Sequence, residues 1–488
     1  MLLLAVLPVA LRLLLLPRHP VPVPDIYDEF SHLLVADTLR HFRFANPAHP
    51  LAQFFETFFV LQQPTYSSIY PVGQGALLAL GWTLFGTPWA GVVLSVAVLC
   101  ALCYWALRGW TTPGWALAGG FLAVMEFGPL NQWMNDYWGG ALPAAAGCLV
   151  FGALPRLCDT ARLRDAILLG AGLAIHLLTR PYESVYLLLC VVLILLPDWR
   201  RLAKPLMAAA LVTLPAVAIT LLQNKEVTGS WTTLPYTLSQ YQYGVPAVLT
   251  FQADPVPHRA LTREQQLDYK MQLNFRGGPT ETVGRYLRRM VYRIRYYRFF
   301  FVPPLYLALP FGFLALRDRR FAWVLICPLM LALGINFFPA FQYHYMAAVT
   351  CLFVLISVTG LQQMARFSRL AARVIVLLCV AQFALEYGLH AASANPWSLA
   401  LRNPERRVMV SAQLAKLPGK LLVFVRYWPG HIFQDEWVYN AADIDGSRVV
   451  WARDLGTAED EKLRQYYPDR SVWLLEPDAR PPRLTPYR

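Results

Sequence analysis

Long apolar stretches without charge are the feature that most constrains this chain of 488 residues. A helix that crosses a membrane needs about 20 mostly apolar residues in one run. Only 15% of the residues are charged, against about 25% in soluble globular domains. The apolar runs lie at 2–16, 89–108, 114–130, 139–155, 166–179, 182–197, 205–223, 299–316, 321–338, 342–361 and 372–389. We therefore predict a mainly α, polytopic membrane protein with about eleven transmembrane helices, one for each run.

The basic residues between the runs predict how the chain crosses the membrane. Arginine and lysine occupy every second connection, at Arg108 and at 156–164, 200–204, 317–320 and 366–373. Cytoplasmic loops collect such residues, so the N-terminus and these clusters are predicted to lie inside. The connections that then share the outer face are 17–88, 131–138, 180–183, 224–298, 339–341 and the C-terminal tail.

One further apolar run, 71–86, is short and opens with Pro71 and Gly73. It could cross the membrane or lie along its surface. A crossing would put the first half of loop 17–88 on the side opposite the later outer loops. We predict a surface helix, because that arrangement keeps every polar loop that carries candidate reactive residues on one side of the membrane.

The tail 391–488 has the composition of a soluble domain. The runs 421–425, 448–452 and 471–475 alternate or concentrate β-branched and aromatic residues and predict strands. The segment 457–467 predicts a helix with an acidic first turn. We therefore divide the chain into a membrane domain, 1–390, and a small α/β domain, 391–488, outside the membrane.

Three carboxylates in the outer loops are candidates for chemistry. Asp28 and Glu29 follow the first apolar run, and Asp136 is the only carboxylate of loop 131–138. Carboxylates at a membrane exit can act as a general base or bind a metal. The first pair could equally be a solvated helix start, since acids favour the first turn. For Asp136, an aromatic interface belt with a polar turn is the favoured interpretation of the loop taken alone.

Cationic and aromatic residues in the outer loops are candidates for binding a phosphate. Arg180 could hold a phosphate with its planar donors or pair locally with Glu183. The end of loop 224–298 is a basic, aromatic helix, which could capture a phosphorylated lipid or attract anionic membrane lipids without specificity. Its candidate residues are Arg285, Arg288 and Arg289. Tyr343, His344 and Tyr345 crowd the outer end of a later run and could line a site.

Several function classes are disfavoured. The sequence has no P-loop, no H-E-x-x-H, no G-x-S-x-G and no paired C-x-x-C zinc motif. Nucleic acid is not an expected partner, because the basic cluster abuts an apolar run on the outer side. The middles of the runs are nearly free of charge, whereas an ion-coupled transporter normally has carboxylates there.

Short motifs in a consistent order resemble the GT-C superfamily of membrane glycosyltransferases, especially the branch of protein O-mannosyltransferases and aminoarabinose lipid A transferases. Asp28–Glu29 is similar to that branch's acidic first-loop motif, and YPVGQG (70–75) to its surface-helix motif, with Val72 in place of the second proline. Asp136 is similar in placement to an acidic residue of the second loop. QYHYMA (342–347) is similar to an HHYLPA-type motif, from which Gln342 and Met346 depart.

The resemblance implies a polyprenyl-phosphate sugar as donor and transfer, with inversion, to the hydroxyl of a glycan, lipid or protein acceptor. In the branch the Asp of the first loop is the base, which implies that role for Asp28 here. That branch generally works without a metal, although Asp28, Glu29 and Asp136 leave a divalent cation possible. A bacterial plasma membrane is the expected location, with the active site and the tail on the outer face.

Two other classes of function stay open at this stage. One is a flippase or transporter of lipid-linked sugars, and the other is a non-catalytic membrane scaffold that displays the C-terminal domain. The charge-poor centres of the runs argue against transport. The outer carboxylates and the basic, aromatic helix argue against a scaffold.

Overall fold

Helices make up most of the protein. The computed structural model describes residues 1–278 and 280–487, so Pro279 and Arg488 lie outside the described residues. The α-helices of the first half are α1 (Leu2–Leu14), α2 (Tyr27–Arg40), α3 (Val72–Phe85), α4 (Trp89–Leu107), α5 (Pro113–Phe127), α6 (Gln132–Asn135), α7 (Ala141–Thr160), α8 (Leu163–Thr179), α9 (Pro181–Leu195) and α10 (Trp199–Thr228). Those of the second half are α11 (Pro235–Tyr243), α12 (Arg263–Arg276), α13 (Val283–Arg293), α14 (Leu309–Gly312), α15 (Arg319–Ile335), α16 (Thr350–Phe367), α17 (Arg369–Ala392), α18 (Glu405–Ala415) and α19 (Thr457–Tyr466).

Five helical segments of the described chain are long and apolar enough to cross a membrane. They are Trp89–Leu107, Ala141–Thr160, Pro181–Thr228, Tyr343–Phe367 and Arg369–Ala392. Shorter apolar helices, among them α1 and α3, complete the bundle. Ten of the predicted runs therefore coincide with helices, and the number of crossings, eleven, stays a prediction.

The predicted helix over 299–316 is wrong as a continuous element. The chain there forms short 3-10 turns, Ile294–Phe300, Pro303–Leu307 and Phe313–Arg317, around the four-residue helix α14. Pro303, Pro304 and Pro310 stand near the starts of the new pieces. Proline is tolerated in a first turn but cannot donate to the preceding turn, so each piece ends after a few residues.

The C-terminal tail forms a four-stranded sheet in the order β5-β4-β6-β7. Its strands are β4 (Leu421–Val425), β5 (Val449–Arg453), β6 (Ser471–Glu476) and β7 (Arg483–Pro486). β4 pairs in parallel with β5 and β6, and β7 pairs antiparallel with β6. Every residue of β4 is buried, as expected for a central parallel strand covered on both faces. The three predicted strands and the helix α19 are confirmed, with boundaries shifted by at most one residue.

Loop 17–88 carries its own small sheet against which the tail packs. The strands are β1 (Asn46–Pro47), β2 (Val60–Leu61) and β3 (Thr65–Ser68), in the order β1-β3-β2. The Tyr66 hydroxyl donates to the Asn440 carbonyl at 2.9 Å, and the ring of Phe54 packs on Phe424 of β4. Loop 17–88 and the tail therefore lie on the same side of the helix bundle.

The contacts between loops limit where α3 can lie. The amide of Tyr137 in loop 131–138 donates to Glu29 at 3.0 Å, so this loop also lies on the side of loop 17–88. Between Glu29 and Tyr137 the chain must cross the membrane an even number of times. If α4 and α5 are the two crossings, as the sequence predicts, α3 lies on the surface; that position of α3 stays a prediction.

Candidate active site

Asp28 and Glu29 occupy the first turn of α2, just beyond the end of α1. The Glu29 carboxylate accepts bonds from the backbone amides of Asp25 at 2.9 Å and Ile26 at 3.1 Å. These bonds satisfy amides that the helix itself leaves without a partner. Since the positive end of a helix stabilises carboxylates, the sequence places two acids where the backbone favours them.

Asp28 is held in a nearly water-free position, with 5% of its surface exposed. Its carboxylate accepts a short hydrogen bond from the hydroxyl of Tyr70. Burial raises the pKa of Asp28 to about 7, against the opposing effects of the Tyr70 bond and the charge of Arg180. A carboxylate that titrates near neutral pH is well matched to taking up a proton in a reaction.

Glu29 differs from Asp28 in its partners. A third backbone amide, that of Tyr137, donates to its second carboxylate oxygen at 3.0 Å. Burial raises the pKa of Glu29, while the three backbone bonds act in the opposite direction. With both oxygens committed to the backbone, Glu29 joins the first and second outer loops and is poorly placed to take a substrate proton.

Asp136 lies close to the same pair, with 2% of its surface exposed. One carboxylate oxygen accepts from the amide of Trp138 at 3.1 Å, and among the described residues the other has no hydrogen-bond partner. Burial, followed by the charge of Glu29, raises the pKa of Asp136 well above its usual range. This environment favours the protonated acid, which can donate a hydrogen bond but cannot accept a proton.

Arg180 stands at the junction of α8 and α9 and faces the carboxylates. Its guanidinium lies over the ring of Tyr345, 5.6 Å from the centroid. No described carboxylate lies within ion-pair distance of it, and that includes the buried Glu183. Its charge nevertheless lowers the pKa of Asp28. Arg180 therefore does not form the local ion pair with Glu183 considered above. The donors of Arg180 are available to a phosphate.

The three predicted aromatic residues lie in the 3-10 turn Tyr343–Val349, which leads into α16, and two of them line the same region. His344 is buried and meets Trp138 edge to face, with ring centroids 5.0 Å apart. Tyr345 packs edge to face on His344 and carries Arg180 on its ring. Tyr343 instead stacks on Phe299 at 4.4 Å, away from the carboxylates.

The basic helix α13 is less closely connected with this cluster. Arg289 pairs with Glu281 and donates to the carbonyl of Asn336 at 2.7 Å. Arg285 donates to the backbone of Thr280, whereas Arg288 is exposed. Among the described interactions none joins these three arginines to Asp28. Their role as donor ligands stays a prediction.

Sequence reasoning missed three residues of the cluster. Tyr70 is the first residue of the surface-helix motif YPVGQG, so its place in that motif was the available signal. His32 lies one turn after Asp28 on α2, stacks on Tyr70 at 4.2 Å and has both ring nitrogens buried without a described partner. Asp268 of α12 is buried, and burial raises its pKa to about 7, helped by the charge of Asp28. Nothing in the sequence around Asp268 points to a site.

Arg12 explains how the two acidic loops meet. It is buried, and its guanidinium donates to the Asn135 side chain at 2.8 Å and to the His19 carbonyl at 3.0 Å. Arg12, a charged residue within the apolar run 2–16, thus contacts protein. It connects the end of α1 to Asn135, the residue next to Asp136.

Solved structures show the same architecture. No sequence family and no curated protein sequence matches the chain. ArnT from Cupriavidus metallidurans, an aminoarabinose lipid A transferase, superimposes with a TM-score of 0.53 in its apo state, at 14% identity over 97% of this chain and 91% of ArnT. ArnT bound to undecaprenyl phosphate gives 0.57 at 13% identity, over 97% and 92% of the two chains. The Archaeoglobus fulgidus oligosaccharyltransferase in complex with Zn and sulfate gives 0.50 at 11% identity, over 97% and 67%.

The chain has the GT-C fold. The expected resemblance is thereby confirmed at the level of architecture, over nearly the whole chain. Within this fold, Asp28, Glu29 and Asp136 belong to one cluster, although they come from two loops more than one hundred residues apart in sequence.

Two of the three carboxylates are unfavourably disposed for binding a metal ion. Glu29 uses both oxygens for backbone amides, and the surroundings of Asp136 favour its protonated form. Divalent cations prefer several ionised oxygen ligands that converge on one point. Within the described chain, no group of three or more His, Cys, Asp or Glu side chains has that arrangement.

Proposed function

We propose that this protein is a glycosyltransferase that transfers a sugar from a polyprenyl-phosphate donor to an acceptor hydroxyl. The observation that carries the proposal is Asp28, a buried carboxylate with a pKa of about 7 that faces an uncommitted arginine. The GT-C fold supports it, because one structure with this fold, ArnT, contains undecaprenyl phosphate.

Asp28 is the general base in this mechanism. It removes the proton of the acceptor hydroxyl while the acceptor oxygen forms a bond to the anomeric carbon of the sugar. The bond from that carbon to the phosphate oxygen breaks, and the lipid phosphate leaves with the electron pair. Attack and departure occur on opposite faces of the sugar, so the configuration inverts, as in inverting glycosidases.

Arg180 is the residue that we assign to the leaving phosphate. Charge grows on the phosphate oxygens as the bond breaks, and a guanidinium in a site poor in water stabilises that charge strongly. Glu183, His344 and Tyr345 complete the surroundings of Arg180. Asp136, as a protonated acid, is placed to donate to a sugar or phosphate oxygen, and Glu29 positions the two acidic loops. Tyr343 and Arg285, Arg288 and Arg289 form the outer approach for the lipid.

The location is proposed on the same grounds as the reaction. The site and the domain 391–488 lie on the outer face of a bacterial plasma membrane, and the membrane domain is 1–390. Arginine-rich connections at the opposite end of the bundle support this orientation.

Comparison of cell-envelope glycans, lipids and glycoproteins from cells with and without the protein identifies the acceptor.

The decisive test compares Asp28→Asn with the wild type. We expect transfer from a purified polyprenyl-phosphate sugar to fall by about 10²–10⁴, because the amide keeps the size of the side chain but cannot act as a base. Donor binding, measured separately, stays close to that of the wild type. Chelation of divalent cations leaves the wild-type rate unchanged, since no step uses a metal.

Glu29→Gln is the matched control. It changes the neighbouring residue in the same chemical way, but Glu29 serves backbone amides, so we expect lower thermal stability and a much smaller loss of turnover. Near-normal turnover of Asp28→Asn would contradict the assignment of the base. Movement of lipid-linked sugar across vesicle membranes without any transfer product would instead indicate a flippase.

A further inference from the structure

A cavity with a volume of about 570 Å³ lies at the end of the bundle opposite Asp28. It is formed by the connection after α4, the start of α15 and the last turns of α16. α16 runs from the candidate active site to this cavity. It follows the turn that carries His344 and ends at Phe367, which lines the cavity. Its 18 residues span about 27 Å, close to the thickness of a bilayer core of about 30 Å.

Three arginines line this opposite cavity: Arg317, Arg320 and Arg366. Arg320 is paired with Asp159, and Asp318 accepts from the backbone amide of Arg320 at 2.8 Å. Arg366 donates only to the side chain of Gln363, at 2.9 Å. Neither Arg317 nor Arg366 has a described carboxylate within ion-pair distance. Asp318 is the one carboxylate among the described lining residues, so the lining carries a net positive charge.

The remaining wall combines apolar and polar groups. Leu314, Phe321 and Leu355 contribute apolar surface, and the ring of Phe367 is largely exposed at the rim. Thr359 and Gln362 add polar groups on the inner side. A concave site with uncompensated arginines next to apolar side chains matches an amphiphile that carries a phosphate.

We propose that this cavity binds the headgroup of an anionic phospholipid in the leaflet opposite the active site. Arg317 and Arg366 contact the phosphate oxygens, while Leu314 and Phe367 contact the first segments of the acyl chains. The site is separate from the transfer reaction, and the proposal holds whether or not Asp28 is the base.

The test measures lipid binding to the purified full-length protein by native mass spectrometry. Phosphatidylglycerol and phosphatidylcholine are titrated into the wild type and into the double variant Arg317→Ala/Arg366→Ala. We expect the wild type to prefer phosphatidylglycerol and the double variant to bind it at least about tenfold more weakly, since each arginine supplies charge-assisted hydrogen bonds. Binding of phosphatidylcholine should not change.

The matched control is Arg162→Ala/Arg200→Ala, which removes the same charge from two exposed arginines outside the cavity. An equal loss in both double variants would overturn the proposal, because it would show general attraction of the basic face for anionic lipid. Melting curves in detergent establish whether the variants fold. If the double variant does not fold, Arg317→Ala alone serves, since this exposed side chain has no described hydrogen bond; undiminished binding by that variant would also overturn the proposal.

Discussion

The carboxylate of Asp28 is held by one phenol hydroxyl, whereas that of Glu29 is held by three backbone amides. At the residue scale this difference in partners is the reason why we propose Asp28, and not Glu29, as the base. The hydroxyl of a phenol can reorient when the charge of its partner changes, whereas the positions of backbone amides are fixed by the fold. The Tyr70 bond is therefore the contact through which the reactivity of Asp28 can be tested.

We expect the rate of transfer to depend on pH through Asp28. The base acts as the ionised carboxylate, so the rate falls as the pH drops below the pKa of about 7 and levels off above it. The Tyr70 bond lowers that pKa, and Tyr70→Phe removes it. The midpoint of the pH–rate profile should then move to higher pH, and much of the lost rate should return at alkaline pH.

Tyr66→Phe is the control for this prediction. Tyr66 is also buried, but its hydroxyl donates to the Asn440 carbonyl, outside the acidic cluster. The variant should lose some stability and keep the midpoint of the wild type. If the midpoint does not move in Tyr70→Phe either, the acid limb of the profile belongs to another group.

Arg180 gives a second prediction at the residue scale. If its guanidinium holds the donor phosphate, Arg180→Ala removes charge-assisted bonds of about 1.5–3 kcal/mol each, and donor binding weakens at least about tenfold. Arg288→Ala removes an exposed arginine and should cause a small loss that disappears at high salt. Similar losses in both variants would indicate general attraction to the lipid rather than a phosphate site at Arg180.

At the scale of elements, β5 of the C-terminal sheet is anchored to α12, which lies in loop 224–298. Arg453 at the end of β5 is buried and binds Glu264 of α12 at 2.6 Å, Glu436 of the tail and the Glu56 carbonyl at 2.7 Å. α12 also carries Asp268, whose charge acts on the cluster around Asp28. The tail thereby supports the loop that closes one side of the candidate site.

Arg453→Leu should be strongly destabilising. It leaves Glu264 and Glu436 buried without their cation, and breaking a buried pair in this way costs about 3–5 kcal/mol. We expect a clearly lower melting temperature and faster protease cleavage of segment 249–262. Arg426→Ala is the comparison, because Arg426 pairs with Asp454 but has 48% of its side chain exposed, and such pairs contribute about 0–1 kcal/mol. Equal effects would show that the buried network does not anchor the tail.

Two apolar runs show when a local sequence pattern is sufficient to predict a secondary-structure element. LLVFV, 421–425, forms β4 over the same five residues, because a short, uninterrupted β-branched and apolar run has few alternatives. The run 299–316 is equally apolar but contains three prolines, and it breaks into short turns. Hydropathy reports burial in both cases, whereas the missing proline donors decide whether a continuous helix can form.

At the scale of the whole molecule, the contacts among outer segments predict a single topology. Loop 17–88, loop 131–138, α12 and the tail touch one another, so they share one side of the membrane. The cavity lined by Arg317 and Arg366 lies on the other side. The predicted outer position of the chain end, residue 488, falls outside the described residues, so the test uses Ala458 of α19.

Cysteine labelling with an impermeant reagent tests this topology. Gln63, Ala260 and Ala458 are exposed and should react from outside the cell after replacement by cysteine, whereas Thr160→Cys should react only after permeabilisation. Cys158 lies near Thr160 and is not fully buried, so it is first replaced by alanine. Labels on opposite sides for positions 63 and 458 would contradict the surface position of α3 and the shared site.

The sequence by itself determined most of the membrane helices, the strands of the tail and the acids at the exit of the first helix. Each of these depends on residues close together in the chain, such as an apolar run or a pair of carboxylates after prolines. Only the tertiary structure decided which partners each acid has and how strongly it is buried. Tyr70, Tyr137 and Arg180 reach Asp28 and Glu29 from distant segments, and burial shifts the carboxyl pKa values. Hydrogen bonds and desolvation of this kind are set by packing between segments, which no local pattern specifies.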